Sequence, residues 1–148
     1  MNPPPKIIGA VLASLIVLLC LPLIARADSS EYAIIANPQI NIKQVSLSTA
    51  RTIFGMRLQY WNNKLPVRVY VLADNQPAHI KFSKEVLGMF PYQLRWAWDR
   101  LVFSGTGQAP IQVASEEEML ARIAATPGAI GYIKRSLIND HVIEISIN

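Results

Sequence analysis

Cysteine is almost missing from these 148 residues: the single thiol, Cys20, lies in the apolar run near the N-terminus. A chain with one thiol has no internal disulfide framework and no cysteine-based metal cluster. Histidine is nearly as scarce. His79 and His141 are far apart in sequence, and neither has a partner at ligand spacing, so no metal site and no cofactor are expected. No dense run of one charge occurs either. Basic residues after the N-terminal segment spread from Lys43 to Arg135 with acids between them, and the tightest pair, Lys134-Arg135, reads as a solvated rim. Nucleic acid is therefore not an expected partner.

What the N-terminus does have is Lys6, an apolar run from Ile7 to Leu19, and Ala25-Arg26-Ala27 with small residues at the two positions a signal peptidase reads. Residues 1–27 are expected to be a secretory signal peptide cleaved near Ala27, giving a periplasmic or secreted protein. A retained anchor needs about twenty apolar residues, which Ile7 to Ile24 approach only by including Cys20 and Pro22. Cleavage removes the only thiol together with Lys6 and Arg26, so Lys+Arg falls from 14 to 12 against 10 acids and the net charge from +4 to +2. Residues 28–148 form one modest domain, long enough to bury a core unaided.

Periodicity changes repeatedly along that domain. Tyr32 to Ala36 is a continuous apolar run ended by Asn37-Pro38, as in a buried strand followed by a turn. Ser46 fits a helix N-cap with Ala50, Ile53 and Phe54 on one face and Gly55 at the end. Trp61 to Pro66 reads as a loop and Val67 to Leu72, rich in β-branched and aromatic residues, as a core strand. Phe82, Val86 and Leu87 make one helical face closed by Gly88. After Pro91, Leu94, Trp98, Leu101 and Val102 make a second. Ile111 to Val113 is a short strand candidate beyond the loop Ser104 to Pro110. Ser115 and Glu118 form a capping box whose acids suit the positive end of the helix dipole, with Met119, Leu120, Ile123 and Ala124 buried. Pro127-Gly128 stops that helix and Ala129 to Ile133 returns as a strand. Val142 to Ile147 alternates like a half-buried edge strand. Strands alternating with helices predict an α/β lobe, a mixed central sheet flanked by helices in a three-layer-like arrangement.

Catalytic chemistry is hard to assemble from these residues. Glu116-Glu117-Glu118 point in different directions on a helix and cannot face one reacting bond as acid and base. No nucleophile, base and orienting group can be proposed together, so the chain is read as not an enzyme. Ser104-Gly105-Thr106-Gly107 lacks the Lys and the glycine spacing of a P-loop. It remains an anion-nest candidate beside its plainer reading as a helix-to-strand loop. Ser46, Ser48 and Thr49 sit at a helix N-terminus, where capping is the simpler role and anion binding the other. Of the aromatics Tyr92, Trp96 and Trp98, Trp98 belongs with the core face, and Trp96 points elsewhere.

Read in order, Val45 to Phe54 ending in Ile-Phe, Gly55, Trp61-Asn62, the extended Val67 to Val71, and Gly128-Ala129-Ile130-Gly131-Tyr132 resemble one lobe of the phosphate-binding proteins that serve ABC importers, of the type II periplasmic binding protein class. The similar stretch runs over residues 31–135. Proteins of that class grip phosphate with an Asp-Gly-Ser-Gly-Thr loop preceded by an Arg. Here the matching stretch is Leu72-Ala73-Asp74-Asn75-Gln76-Pro77-Ala78-His79, in which Asp74 alone is retained. The resemblance implies a single-lobe, secreted solute-binding domain related to phosphate ABC transporter substrate-binding proteins. It implies as ligand a small anion such as phosphate, and as partner a membrane transporter or envelope protein. The implied contacts are Asn37, Ser46, Ser48, Asp74, Gln76, Ser104 and Thr106. A homodimer would rebuild a two-lobed cleft. The alternative is a lobe that has lost its ligand and serves as a protein-interaction module in the envelope.

Overall fold

A computed structural model describes Met1, Asn2 and residues 30–148; the expected signal peptide and its cleavage site lie outside the described residues. Strands β1 (Tyr32–Ala36), β2 (Gln44–Val45), β3 (Arg68–Val71), β4 (Ile111–Gln112), β5 (Ala129–Lys134) and β6 (Ile143–Ile147) form one mixed sheet in the order β2-β6-β1-β5-β3-β4. Helices α1 (Leu47–Phe54), α2 (Pro77–Lys81), α3 (Pro91–Phe103) and α4 (Glu116–Ala125) flank it. β1 pairs antiparallel with both β5 and β6, and the ladders β2–β6, β5–β3 and β3–β4 are parallel. β1 thus runs against the other five strands. Their carboxyl ends share one end of the sheet, and α1, α2 and α4 all start there. Ligands of open α/β sheets lie outside the carboxyl ends of parallel strands.

The continuous apolar strands are the ones covered on both faces, as a central position demands: all of β1 is buried, and so is β5 from Ala129 to Ile133. α4 lies close on β5 because Gly131 has no side chain. A Cβ there would meet Ile123 Cδ1 at 2.7 Å and Met119 Sδ at 2.8 Å. Aromatics fill the layer between sheet and helices. The Phe82 ring stacks on Tyr132 at 3.9 Å, Phe54 meets Phe82 edge-on at 4.9 Å, and Trp98 Nε1–H donates to Phe54 O at 2.8 Å, tying α3 to the end of α1.

Three local features depart from the sequence reading. β6 alternates as expected but is not an edge, because the two-residue β2 covers its outer side. The edges are β2 and β4, each only two residues long, which limits the unpaired backbone they expose. After α2 the chain widens into a π turn over Phe82–Val86. Leu87 N–H bonds Phe82 O at 3.3 Å, so residues five apart share the buried side and Val86 is left half-buried. In α3 only Leu94 and Trp98 are buried. Leu101 is half-covered by the returning loop at Gly107, and Val102, a further turn round the helix, is exposed. Among the described residues no helix is long and apolar enough to cross a membrane.

Candidate functional site

The loop from β3 to α2 is built around Asp74. Leu72 is buried beyond the end of β3, Gln76 N–H closes a tight turn on Ala73 O at 2.9 Å, and Pro77, with its preset φ and no N–H, opens α2. The Asp74 carboxylate faces Arg95 of α3 in a two-point fork, with Nε donating to Oδ2 at 2.8 Å and Nη2 to Oδ1 at 2.9 Å. The guanidinium also lies 4.9 Å from the centre of the Trp98 ring, a cation–π contact that holds its plane. The Arg95 hydrogen bond draws the Asp74 carboxyl below the usual carboxylate range, against the opposing effect of burial. Asp74 in turn raises Arg95.

Beneath this pair runs a buried polar chain. Tyr132 Oη accepts from Leu72 N–H at 2.9 Å and lies 2.6 Å from His79 Nδ1. With Leu72 supplying one proton to Oη, the phenol's own proton goes to Nδ1, and the imidazole is assigned as the neutral Nε2–H tautomer. Nε2 is buried without a hydrogen-bond partner, and Asp74 Oδ1 lies 3.9 Å away. Burial lowers the His79 pKa and outweighs the pull of Asp74 in the other direction. Burial likewise raises Tyr132 well above the ordinary phenol range.

The same end of the sheet is knitted together by hydrogen bonds between side chains and backbone. Gln76 Nε2 donates to Ala114 O at 3.1 Å, and Ala114 N–H donates to Glu118 Oε2 at 2.9 Å. Ser115 Oγ accepts from Glu118 N–H at 3.1 Å, half of the expected capping box. The carboxylate half reaches one residue further back than the cap. Glu116 accepts from Lys134 N–H at 2.8 Å and so fastens α4 to the end of β5.

The remaining sequence candidates lie elsewhere. Ser46 and Ser48 are at the same end of the sheet as Asp74, but β2 and β3 are four strand positions apart, about 19 Å at the usual strand spacing. Ser46 Oγ caps α1 through Thr49 N–H and lies 2.9 Å from the hydroxyls of both Ser48 and Thr49. A groove of about 480 Å³ beside them is lined by Ser46, Thr49, Trp61 and Asn62 among others. Asn37 follows the antiparallel strand and therefore sits at the opposite end. Its Nδ2 donates to Ile123 O and Ala124 O at 3.0 and 3.1 Å, and its Oδ1 accepts from Gln39 N–H. It closes the C-terminus of α4, beside an open groove of about 650 Å³ that also touches Asp140 and His141.

Ser104 and Thr106 precede β4 and also lie at that opposite end, their hydroxyls 2.7 Å apart. The N–H groups of Gly105, Thr106 and Gly107 turn back onto Val102 O and Leu101 O. They finish α3 instead of opening outward as a nest. The seven candidates thus fall into four separate places: Asp74 and Gln76 in the loop after β3, Ser46 and Ser48 at the start of α1, Ser104 and Thr106 after α3, and Asn37 after β1. Of the residues that surround Asp74, Arg95 carries no local motif, while His79 and Tyr132 stand in stretches that the resemblance covers but are not among the site candidates. Among the described residues no group of three or more His, Cys, Asp or Glu could hold a metal ion.

The mixed six-stranded sheet with one strand reversed and helices flanking it is an α/β fold that matches part of the fold of periplasmic binding proteins of known structure. Among solved structures the lobe is similar to an ABC-type phosphate transport receptor from Vibrio cholerae (TM-score 0.61, 12% identity, covering 79% of this chain and 46% of that one). It is also similar to a putative phosphate ABC transporter substrate-binding protein with bound phosphate from Clostridium perfringens (TM-score 0.59, 18% identity, 79% and 44%). A third neighbour is PstS from Borrelia burgdorferi (TM-score 0.57, 16% identity, 80% and 47%). The chain spans less than half the length of each of these proteins, and at such identities the likeness is one of fold. No protein-family model matches the sequence. No curated protein matches it by sequence.

Proposed function

We propose that the protein is an exported, periplasmic solute-binding lobe related to phosphate ABC transporter substrate-binding proteins. Its ligand is a small anion such as phosphate, taken at the loop after β3, and its partner is a membrane transporter or another envelope protein. The observation that carries this reading is the shared fold of the phosphate-transport neighbours. The pre-ordered Asp74–Arg95 pair, with Gln76 held in the same loop at the carboxyl ends of the parallel strands, supports it. Cleavage near Ala27 belongs to the same proposal, and mass spectrometry of the exported protein tests it. Thermal unfolding with and without phosphate, sulfate and organic anions tests the ligand. An anion present at about a hundred times its dissociation constant and bound only by the native state adds roughly 2.7 kcal/mol, several degrees in Tm. No shift with any anion would remove anion capture as the function.

One set of observations favours the second reading, an interaction module without a ligand. Asn37, Asp74, Gln76, Ser104 and Thr106 all have intramolecular partners. Meanwhile Phe90, just before α3, and Tyr92 and Trp96 on its first turns form an exposed ring cluster, with Phe90 stacked on Tyr92 at 5.6 Å and Tyr92 edge-on to Trp96 at 5.0 Å. Under this reading, replacing Tyr92 and Trp96 with Ala abolishes association with an envelope partner or a second copy while leaving the unfolding midpoint within a few degrees.

A further inference from the structure

Leu72 stands where the related loop has its arginine, so the segment from Leu72 to Ala78 carries no cation of its own. Arg95 brings one to it from α3. A guanidinium has five N–H groups in a fixed plane, enough for two separate two-point forks. The side-on fork, Nε with one Nη2 hydrogen, is taken by Asp74, and Nη1 has no hydrogen-bond partner among the described residues. Asp74 on one edge and the Trp98 ring against its face orient the group, while the side chain stays 37% exposed. A second donor nearby is unspent: His79 Nε2 is buried, lacks a hydrogen-bond partner and lies 3.9 Å from Asp74 Oδ1.

We propose that Arg95 is the anion-binding residue of this lobe, its free end-on edge taking two oxygens of a small carboxylate or phosphate. The inference rests on the anion-binding reading above and names the group that performs it. The geometry also sets the character of the site. Asp74 neutralises Arg95 as a pair, so an incoming anion feels the nearer guanidinium more than the farther carboxylate, and attraction is modest. The fork requires two coplanar oxygens that chloride cannot supply. Binding should therefore be modest in strength and specific for oxyanions over chloride.

The test is a calorimetric titration of the protein with acetate, inorganic phosphate and sulfate at ionic strength matched with sodium chloride, repeated with Arg95→Lys and Arg95→Gln. Lys keeps the charge and loses the planar fork. The expected result is saturable binding of acetate or phosphate by the parent protein and a dissociation constant about tenfold or more weaker in both variants, the loss typical of a charged hydrogen-bond pair. Retained unfolding midpoints in the two variants show that the loss is local. Unchanged affinity in Arg95→Lys and Arg95→Gln would overturn the assignment of Arg95 while leaving an anion-binding lobe. Absence of binding of all three oxyanions by the parent protein would overturn both.

Discussion

Replacing Tyr132 with Phe removes one oxygen from the middle of the molecule and nothing else. The ring keeps its 3.9 Å stack on Phe82, so packing is retained. Two buried groups lose their partner: Leu72 N–H, which donates to Oη at 2.9 Å, and His79 Nδ1, 2.6 Å from it. Leu72 and His79 are both 0% exposed, so water cannot replace the hydroxyl without rearrangement. Each unmet buried group costs about 1–3 kcal/mol, which sets the loss for the two at about 2–6 kcal/mol. That is a large share of the roughly 5–15 kcal/mol by which a domain is stable. Urea unfolding followed by tryptophan fluorescence measures it, with an unchanged slope showing that only stability has moved. In a His79→Leu background Tyr132→Phe leaves only Leu72 unpaired, so its cost should fall by about 1 kcal/mol or more, a coupling read from the double-mutant cycle. A loss below about 0.5 kcal/mol, or no coupling, would refute the polar chain from Leu72 through Tyr132 to His79.

Gly128 sits at φ +79° with its Cβ position 2.1 Å from Pro66 O, so Gly128→Ala should cost at least about 3 kcal/mol in urea unfolding. Gly105→Ala, at φ +70° but in open space, should cost only about 1–2 kcal/mol. Ser115→Ala removes the cap on α4 and should cost about 1 kcal/mol by the same assay. Because burial lowers the His79 pKa, the unfolded chain takes up a proton below the ordinary value of 6.5 that the native protein refuses. Stability should therefore fall as pH drops through about 6.5, with a slope of at most about 1.4 kcal/mol per pH unit for this one proton, and His79→Leu should flatten it. Asp74, lowered chiefly by Arg95, adds a loss of the same sense only further down, as pH falls below the ordinary carboxylate value.

The elements whose causes are local were readable from the residues. Ser46 and Ser115 announce their helices because the cap lies three residues from the N–H it satisfies. The unbroken apolar runs of β1 and β5 announce strands covered on both sides. What escaped depends on pairing across the chain. The alternation of β6 is the same whether or not a two-residue strand covers it, so its interior place is a fact of topology. Asn37 reads as a polar residue after a strand, yet its partners are carbonyls 86 and 87 residues away. Arg95 lies 21 residues from Asp74, and Tyr132 lies 53 from His79. A carboxylate with no cation near it in sequence was the one available hint that a distant Arg completes the loop.

The central claim is that an anion is taken at the loop after β3. Backbone amide spectra recorded during a phosphate titration test it most directly. The account predicts saturable shifts concentrated at Leu72 to His79, Ala114 and Arg95, with Asn37, Ser104 and Thr106 at the far end of the sheet unmoved. Unchanged spectra, or shifts centred on the far end, would contradict it.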